Sequence, residues 1–231
     1  MTSLSPNNPK SGYEDMQNNV LDTTVLELLA SRICHDLISP VGAVHNGVEF
    51  LEEMGIESGA EAISLIAHSA QMAAARLQAF RMAYGAGGRD PNIKPEDVYK
   101  TFGDLINTDG KITQNWDPHA STAFGDKCPS GYCKILMGTL MLAQECLLKG
   151  GEISVTAGHN GQTLITATGL TPLIREQVDE ALARTIIAEN LDPRLVHPYE
   201  ISVLAANYGF TIEITERTQE QVVFTMSYIR D

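Results

Sequence analysis

Two consecutive stretches of the sequence place an apolar residue at every third or fourth position, the spacing that puts side chains on one face of an α-helix. In the first stretch, residues 21–53, this apolar stripe consists of Leu26, Leu29, Ile33, Leu37, Val41, Val44, Val48 and Leu51. In the second, residues 60–84, it consists of Ile63, Ile66, Ala70, Ala73, Leu77, Phe80 and Tyr84. Because the Gly-containing segment 54–59 between them is short, we predict an antiparallel helical hairpin. Two helices cannot bury both stripes alone, and a second copy of the chain would complete a dimeric four-helix bundle.

The composition of the chain changes on both sides of this hairpin. Residues 1–20 contain Ser, Asn, Pro and Gly and few large apolar residues, which predicts a flexible N-terminal tail. Residues 85–91, GAGGRDP, combine glycines with a proline and indicate a domain boundary. We therefore divide the chain into a tail at 1–20, a helical-hairpin domain at 21–88 and a second domain at 89–231.

The second domain mixes helical and strand patterns. Helices are predicted at about 94–106, 132–149, 175–189 and 198–207, and strands at 112–116, 152–157, 162–168, 211–216 and 221–229. The turn sequence His159-Asn160-Gly161 joins two of these strands into a hairpin. We predict an α+β protein whose second domain is an α/β sandwich, with helices on one face of a mixed sheet.

Charge and hydropathy argue against two classes of partner. The 231 residues carry a formal net charge of −13 and show no basic stripe, whereas a nucleic-acid binder needs a basic surface to neutralise phosphates. No apolar run approaches the length of about 18 residues that a membrane-spanning helix needs, and no leader is visible. We expect a cytoplasmic protein that binds neither nucleic acid nor membrane.

The cysteine pattern favours reduced thiols. Cys34, Cys128, Cys133 and Cys146 form no Cys-x-x-Cys pair and no regular framework. His119 could join Cys128 and Cys133 in a metal site, but the spacing matches no common zinc pattern and a fourth ligand is missing. We therefore expect no metal.

His35 stands apart from the apolar stripe of the first helix. Two residues correspond to about 200° of helical rotation, so His35 points away from its apolar neighbours on the stripe, toward solvent or a partner. The adjacent Asp36 can accept a hydrogen bond from one ring nitrogen, which leaves the other as a neutral nucleophile near neutral pH. Ser39, one turn later, could support a water or a phosphoryl oxygen, and Pro40 cannot donate to the Asp36 carbonyl. The pattern predicts a phosphorylatable histidine, and an ordinary surface histidine is the alternative.

Several motifs resemble those of a known family. The run Arg32-Ile33-Cys34-His35-Asp36-Leu37-Ile38-Ser39-Pro40 resembles the phosphoacceptor motif of sensor histidine kinases. The chain is also similar, over about residues 23–231, to the ChpT family of alphaproteobacterial histidine phosphotransferases, through Ala73-Ala74-Ala75-Arg76-Leu77, Phe80-Arg81 and Gly85-Ala86-Gly87-Gly88. The resemblance implies a homodimer with a central four-helix bundle and a second domain like the ATP-binding fold of kinases.

The resemblance also implies a phosphorelay role. His35 would take a phosphoryl group from the receiver domain of a hybrid histidine kinase and pass it to receiver domains of response regulators. The receiver would supply Mg²⁺, so we expect no cofactor of the chain's own. Our candidates for docking a receiver are Arg32, Gly42 and His45, on the same helix as His35.

The second domain lacks parts that an active kinase of this fold needs for ATP. Such a kinase holds Mg²⁺ with an Asn on its long helix, binds adenine through an Asp-x-Gly-x-Gly loop and covers the phosphates with a Gly-rich lid. The corresponding segments here are 140–145 (LMLAQE), 167–172 (ATGLTP) and 193–198 (PRLVHP). We therefore expect a degenerate ATPase-like domain and a phosphotransferase. The alternatives are a divergent autophosphorylating kinase and a non-catalytic receiver-binding module, and Ser39 leaves a phosphatase role open.

Overall fold

The computed structural model describes residues 23–55, 59–86, 93–124 and 127–229. The tail predicted at 1–20 and most of the boundary segment 85–91 lie outside these residues. The helices and strands are α1 (Thr23–Met54), α2 (Ala60–Tyr84), α3 (Pro95–Asn107), β1 (Ile112–Asn115), α4 (Tyr132–Glu145), β2 (Gly151–Ala157), β3 (Gln162–Gly169), α5 (Val178–Leu182), α6 (Val196–Asn207), β4 (Phe210–Arg217) and β5 (Gln221–Tyr228). Two 3₁₀ turns, Ala188–Asn190 and Pro193–Leu195, precede α6.

The two long helices pack against each other as a hairpin, which confirms the first sequence prediction. Close approach depends on small residues, since a Cβ added at Gly47 of α1 would lie 2.6 Å from Ile66 Cγ1 of α2. The buried face of α2 is formed mostly by small side chains, at Ala62, Ser69, Ala75, Ala79, Phe80 and Ala83.

The predicted apolar stripes are only partly buried within one chain. Several of their large members are exposed, among them Leu26, Val41 and Val48 on α1 and Ile63 and Leu77 on α2. This exposure agrees with the expectation that the two helices of one chain cannot bury both stripes alone. The reason is geometric, because each helix of a two-helix hairpin offers only one side to its partner and to the second domain.

The second domain is built around helix α4 and a five-stranded sheet. The strand order is β1-β2-β3-β5-β4, with β1 parallel to β2 and the other neighbours antiparallel, so the prediction of a mixed sheet is confirmed. Helix α4 is buried from Tyr132 to Ala143 because the sheet contacts it on one side and α2, α3 and α6 contact it elsewhere. The apolar side chains of α4 therefore belong to the core that the hairpin helps to cover.

One predicted helix of the second domain is wrong. The segment 175–189 forms only the five-residue α5, which ends because Arg184, two residues after Leu182, adopts a left-handed conformation (φ 57°). The Arg184 N–H donates to the Ala181 carbonyl (3.1 Å) and the Thr185 N–H to the Glu180 carbonyl (2.9 Å), the bonds of a helix-ending Schellman motif. Helix α4 also ends earlier than predicted, at Glu145.

The four cysteines, all of them described, form no disulfide. His119 does not join Cys128 and Cys133 and instead lies 3.1 Å from Glu96. Within the described ranges, no group of three or more His, Cys, Asp or Glu side chains is arranged to hold a metal ion. Nor does any described helix combine the length and apolarity needed to cross a lipid bilayer.

Candidate functional site

The His35 side chain lies on the surface of α1 and is 86% exposed. Its Nδ1 is 3.3 Å from Asp36 Oδ1, the contact that the sequence predicts for orienting the ring. With Nδ1 carrying the proton toward the carboxylate, Nε2 keeps its lone pair and has no hydrogen-bond partner among the described residues. The arrangement presents an oriented and accessible nitrogen.

The turn that carries His35 is tied to α2. Helix α1 continues through Pro40, which is buried, and Pro40 offers no N–H to the Asp36 carbonyl one turn earlier. Arg76 Nη1 donates to that carbonyl at 2.5 Å. Asp36 and Arg76 also line a cavity of about 300 Å³ between the hairpin and the second domain, together with Arg32, Lys111 and Glu145.

Arg32 does not lie on the docking surface that the sequence analysis gave it. It forms an ion pair with Glu145 of α4, and both side chains are largely buried, at 19% and 23% exposure. Burial raises the pKa of Glu145 above its usual range, and the Arg32 guanidinium opposes that rise. The prediction for Arg32 is therefore wrong, because the unpredicted acidic residue on α4 draws its side chain into the interface between hairpin and second domain.

Three other sequence-predicted residues share the exposed side of α1. Ser39 is exposed one turn after His35, and Gly42 faces open space, since a Cβ built on it would meet no atom of the described residues within 4 Å. His45 is 71% exposed and its Nε2 lies 3.3 Å from Glu49 Oε1. Steps of three and four residues from His35 reach Ser39 and Gly42, so these positions form one accessible ridge.

A buried histidine that the sequence analysis did not single out joins the hairpin to the second domain. His197 of α6 is fully buried, its Nε2 lies 3.0 Å from the Gly138 carbonyl, and its Nδ1 contacts the Tyr84 hydroxyl at the end of α2. Because a carbonyl can only accept, Nε2 carries the proton and Nδ1 accepts from Tyr84. Burial lowers the pKa of His197 to about 3, with the Arg32 charge acting in the same direction. Its apolar neighbours in sequence, Val196 and Pro198, were the available signal for burial.

The three segments compared above with the nucleotide-binding parts of kinases, 140–145, 167–172 and 193–198, converge in space. Residues from or directly after all three of them line one common cavity, with members such as Leu142, Cys146, Leu173, Arg194 and Pro198. The cavity measures only about 10 Å³. Pockets that enclose small ligands usually measure about 300–1,000 Å³, so this one has no room for a nucleotide in the described conformation.

Two sequence comparisons both match this chain to phosphotransferases. Residues 95–220 match the family described as the histidine phosphotransferase C-terminal domain. The protein phosphotransferase ChpT of Brucella abortus (strain 2308) is 34% identical over 203 residues, which cover 86% of this chain and 92% of that protein.

Solved structures add a match for the fold. A structure described as that of a bacterial phosphotransferase superposes with a TM-score of 0.72 at 29% identity, covering 90% of this chain and 98% of that one. The histidine kinase AdeS of Acinetobacter baumannii gives a TM-score of 0.45 at 13% identity, covering 85% of this chain and 98% of that one.

Proposed function

Because this chain belongs to the ChpT family of histidine phosphotransferases, we propose that His35 is the residue through which the phosphoryl group passes. The observation that carries this assignment is the pairing of His35 Nδ1 with Asp36 on an exposed turn, which leaves Nε2 as an oriented nucleophile. The other exposed histidine on α1, His45, contacts Glu49 through Nε2 itself, the nitrogen that would have to react. His197 is buried and unreachable for a protein substrate.

The donor and acceptor are receiver domains of a hybrid histidine kinase and of response regulators. The Nε2 lone pair of His35 forms the new N–P bond in line as the P–O bond to the receiver's aspartate breaks, and that aspartate leaves as a carboxylate. The Nδ1 proton stays on the ring, where the Asp36 carboxylate stabilises the positive charge that develops. Mg²⁺ belongs to the receiver. Transfer to the next receiver is the same step reversed.

Receiver docking uses the ridge that His35 forms with Ser39 and Gly42. The ridge supports docking because no side chain of the described residues covers Gly42 and the apolar Ile38 beside it is 71% exposed. His45 extends the same surface by one turn. We place the exchange in the cytoplasm, where an exposed thiol such as Cys34 stays reduced.

The chain acts as a homodimer. Val41 and Val48 of α1 and Ile63 and Leu77 of α2 are large, exposed and spaced by multiples of seven, the repeat that lines the seam of a helical bundle. A second hairpin would cover them. Leu77→Glu should give a monomer in light scattering after size exclusion, whereas Leu170→Glu, at a still more exposed leucine of the second domain, should not.

The chain uses no ATP of its own, in contrast to the kinase alternative. The small cavity at the kinase-like nucleotide position supports this part of the proposal. Calorimetric titration with ATP and Mg²⁺ should show no binding.

A reconstituted transfer assay tests the function. Wild type, His35→Ala and the matched control His45→Ala are each mixed with a phosphorylated hybrid-kinase receiver or with labelled ATP alone. Label should appear on wild type and His45→Ala, only with the phosphorylated receiver, and never on His35→Ala. Label from ATP alone would favour the kinase, and label on none would favour the binding module.

A further inference from the structure

The Asp36 carbonyl has lost its normal partner in α1. In an α-helix this carbonyl accepts from the N–H four residues later, and that residue is Pro40, which has none and whose ring crowds the same carbonyl. Helix α1 nevertheless continues without a break from Thr23 to Met54. A half-buried carbonyl without a donor is costly, so another donor is needed at this point.

Arg76 supplies that donor from the opposite helix. Its Nη1 donates to the Asp36 carbonyl at 2.5 Å across 40 residues of sequence. The nearby Arg32 is engaged by Glu145. Arg81, further along α2, is engaged by Gln78 at 2.9 Å. Arg76 therefore provides a hydrogen bond that joins α2 to the helical turn carrying His35.

Asp36 contacts both Arg76 and His35. The peptide group of Asp36 is held by Arg76, and the carboxylate of Asp36 lies 3.3 Å from His35 Nδ1. Fixing the peptide group fixes the direction in which the Asp36 side chain leaves the helix, and so the position of the carboxylate relative to the ring. An orienting group acts only when its own position is held by such surrounding contacts.

We propose that Arg76 is a positioning residue for phosphotransfer, which replaces the hydrogen bond removed by Pro40 and so holds Asp36 against Nδ1 of His35. The proposal rests on the proposed role of His35 as phosphoacceptor. In the described part of the chain, Arg76 has no hydrogen bond to the His35 ring. It acts through Asp36.

The proposal makes Arg76 and Pro40 interdependent, which a double-mutant cycle measures. Arg76→Ala should lower the first-order rate of phosphoryl transfer from a saturating phosphorylated receiver by about 10-fold, with little change in KM for the receiver. Pro40→Ala restores a backbone N–H that can donate to the Asp36 carbonyl, so adding Arg76→Ala in that background should cost less than about 3-fold. Arg81→Ala, the matched arginine on α2, should leave the rate unchanged.

A spectroscopic readout separates positioning from general destabilisation. In ¹⁵N-histidine-labelled protein above pH 8, His35 should populate the tautomer with the proton on Nδ1, and Arg76→Ala should mix the two tautomers. Arg76→Lys, which keeps a cationic donor, should retain most of the wild-type tautomer.

Each outcome decides the proposal. An equal loss of rate from Arg76→Ala in the wild-type and Pro40→Ala backgrounds would overturn it, and so would an unchanged His35 tautomer in Arg76→Ala. If Pro40→Ala proves unstable, the tautomers of Arg76→Ala and Arg76→Lys decide instead. Label on His35→Ala would refute the phosphoacceptor role itself, whereas loss of label there with normal transfer by Arg76→Ala would refute only the role of Arg76.

Discussion

Acid should destabilise this protein through His197, and the size of the effect follows from its surroundings. The folded protein holds the pKa of His197 at about 3, whereas the unfolded chain has the ordinary value of 6.5. Between these values unfolding takes up a proton. The contribution of His197 to the free energy of unfolding is therefore fully present above about pH 6.5 and is lost as the pH falls toward 3. Each pH unit in this window costs about 1.4 kcal/mol, so lowering the pH to about 5 costs about 2 kcal/mol.

The matched variant is His197→Gln, which removes the titrating group while its amide can still donate to the Gly138 carbonyl. Urea unfolding at pH 7 and pH 5, at one fixed protein concentration, should show wild type losing about 2 kcal/mol more than the variant. Glu145 and Glu200, whose pKa values burial raises, contribute an opposite trend, but they do so in both proteins and cancel.

A control keeps the test specific. His68→Gln, at an exposed histidine of α2, should show the wild-type dependence on pH. Identical losses in wild type and His197→Gln would refute the reasoning, because they would mean that His197 is protonated in the folded state or that its site opens before unfolding.

Three further predictions concern other parts of the molecule. Arg32→Ala should lower the free energy of unfolding by about 2–3 kcal/mol, because it leaves Glu145 buried without its partner, whereas Arg32→Met with Glu145→Leu should cost far less in the same urea titration. Gly131→Ala should lower the free energy of unfolding by about 2–4 kcal/mol, because Gly131 has a φ of 78° and a Cβ there would lie 2.3 Å from the Tyr208 ring. Its control is Gly42→Ala, where the added Cβ has open space, and this variant should be neutral or stabilising in thermal melts. Cys34 should react with a thiol reagent well before Cys146, because Cys34 is exposed while burial raises the pKa of Cys146 to about 12.

Patterns local in sequence account for most of the fold. The spacing of apolar residues placed α1 and α2 within a few residues of their observed ends, and the turn at His159-Asn160-Gly161 correctly joined β2 to β3. The segment 175–189 failed because its composition favours a helix, whereas its end is set by one residue, Arg184, in a left-handed conformation. No periodicity reports such a conformation.

Some features of the candidate site could be predicted from local sequence patterns, and others could not. The exposure of His35 and its contact with Asp36 depend on neighbours in one helix, so they could be predicted from the sequence. The partners Glu145 for Arg32, His197 for Tyr84 and Arg76 for the Asp36 carbonyl are 40 to 113 residues away, and only the packing of the hairpin on the second domain brings them together. The burial of Arg32 was missed for that reason.

The central claim is that the phosphoryl group is carried by one nitrogen of one residue, His35 Nε2. Wild-type protein phosphorylated by a receiver can be examined by ³¹P–¹⁵N correlation, which separates the two ring nitrogens, and by mass spectrometry of alkaline digests, which locates the residue. We predict phosphorus bonded to Nε2 of His35. Phosphorus on Nδ1, or on a residue other than His35, would contradict the account.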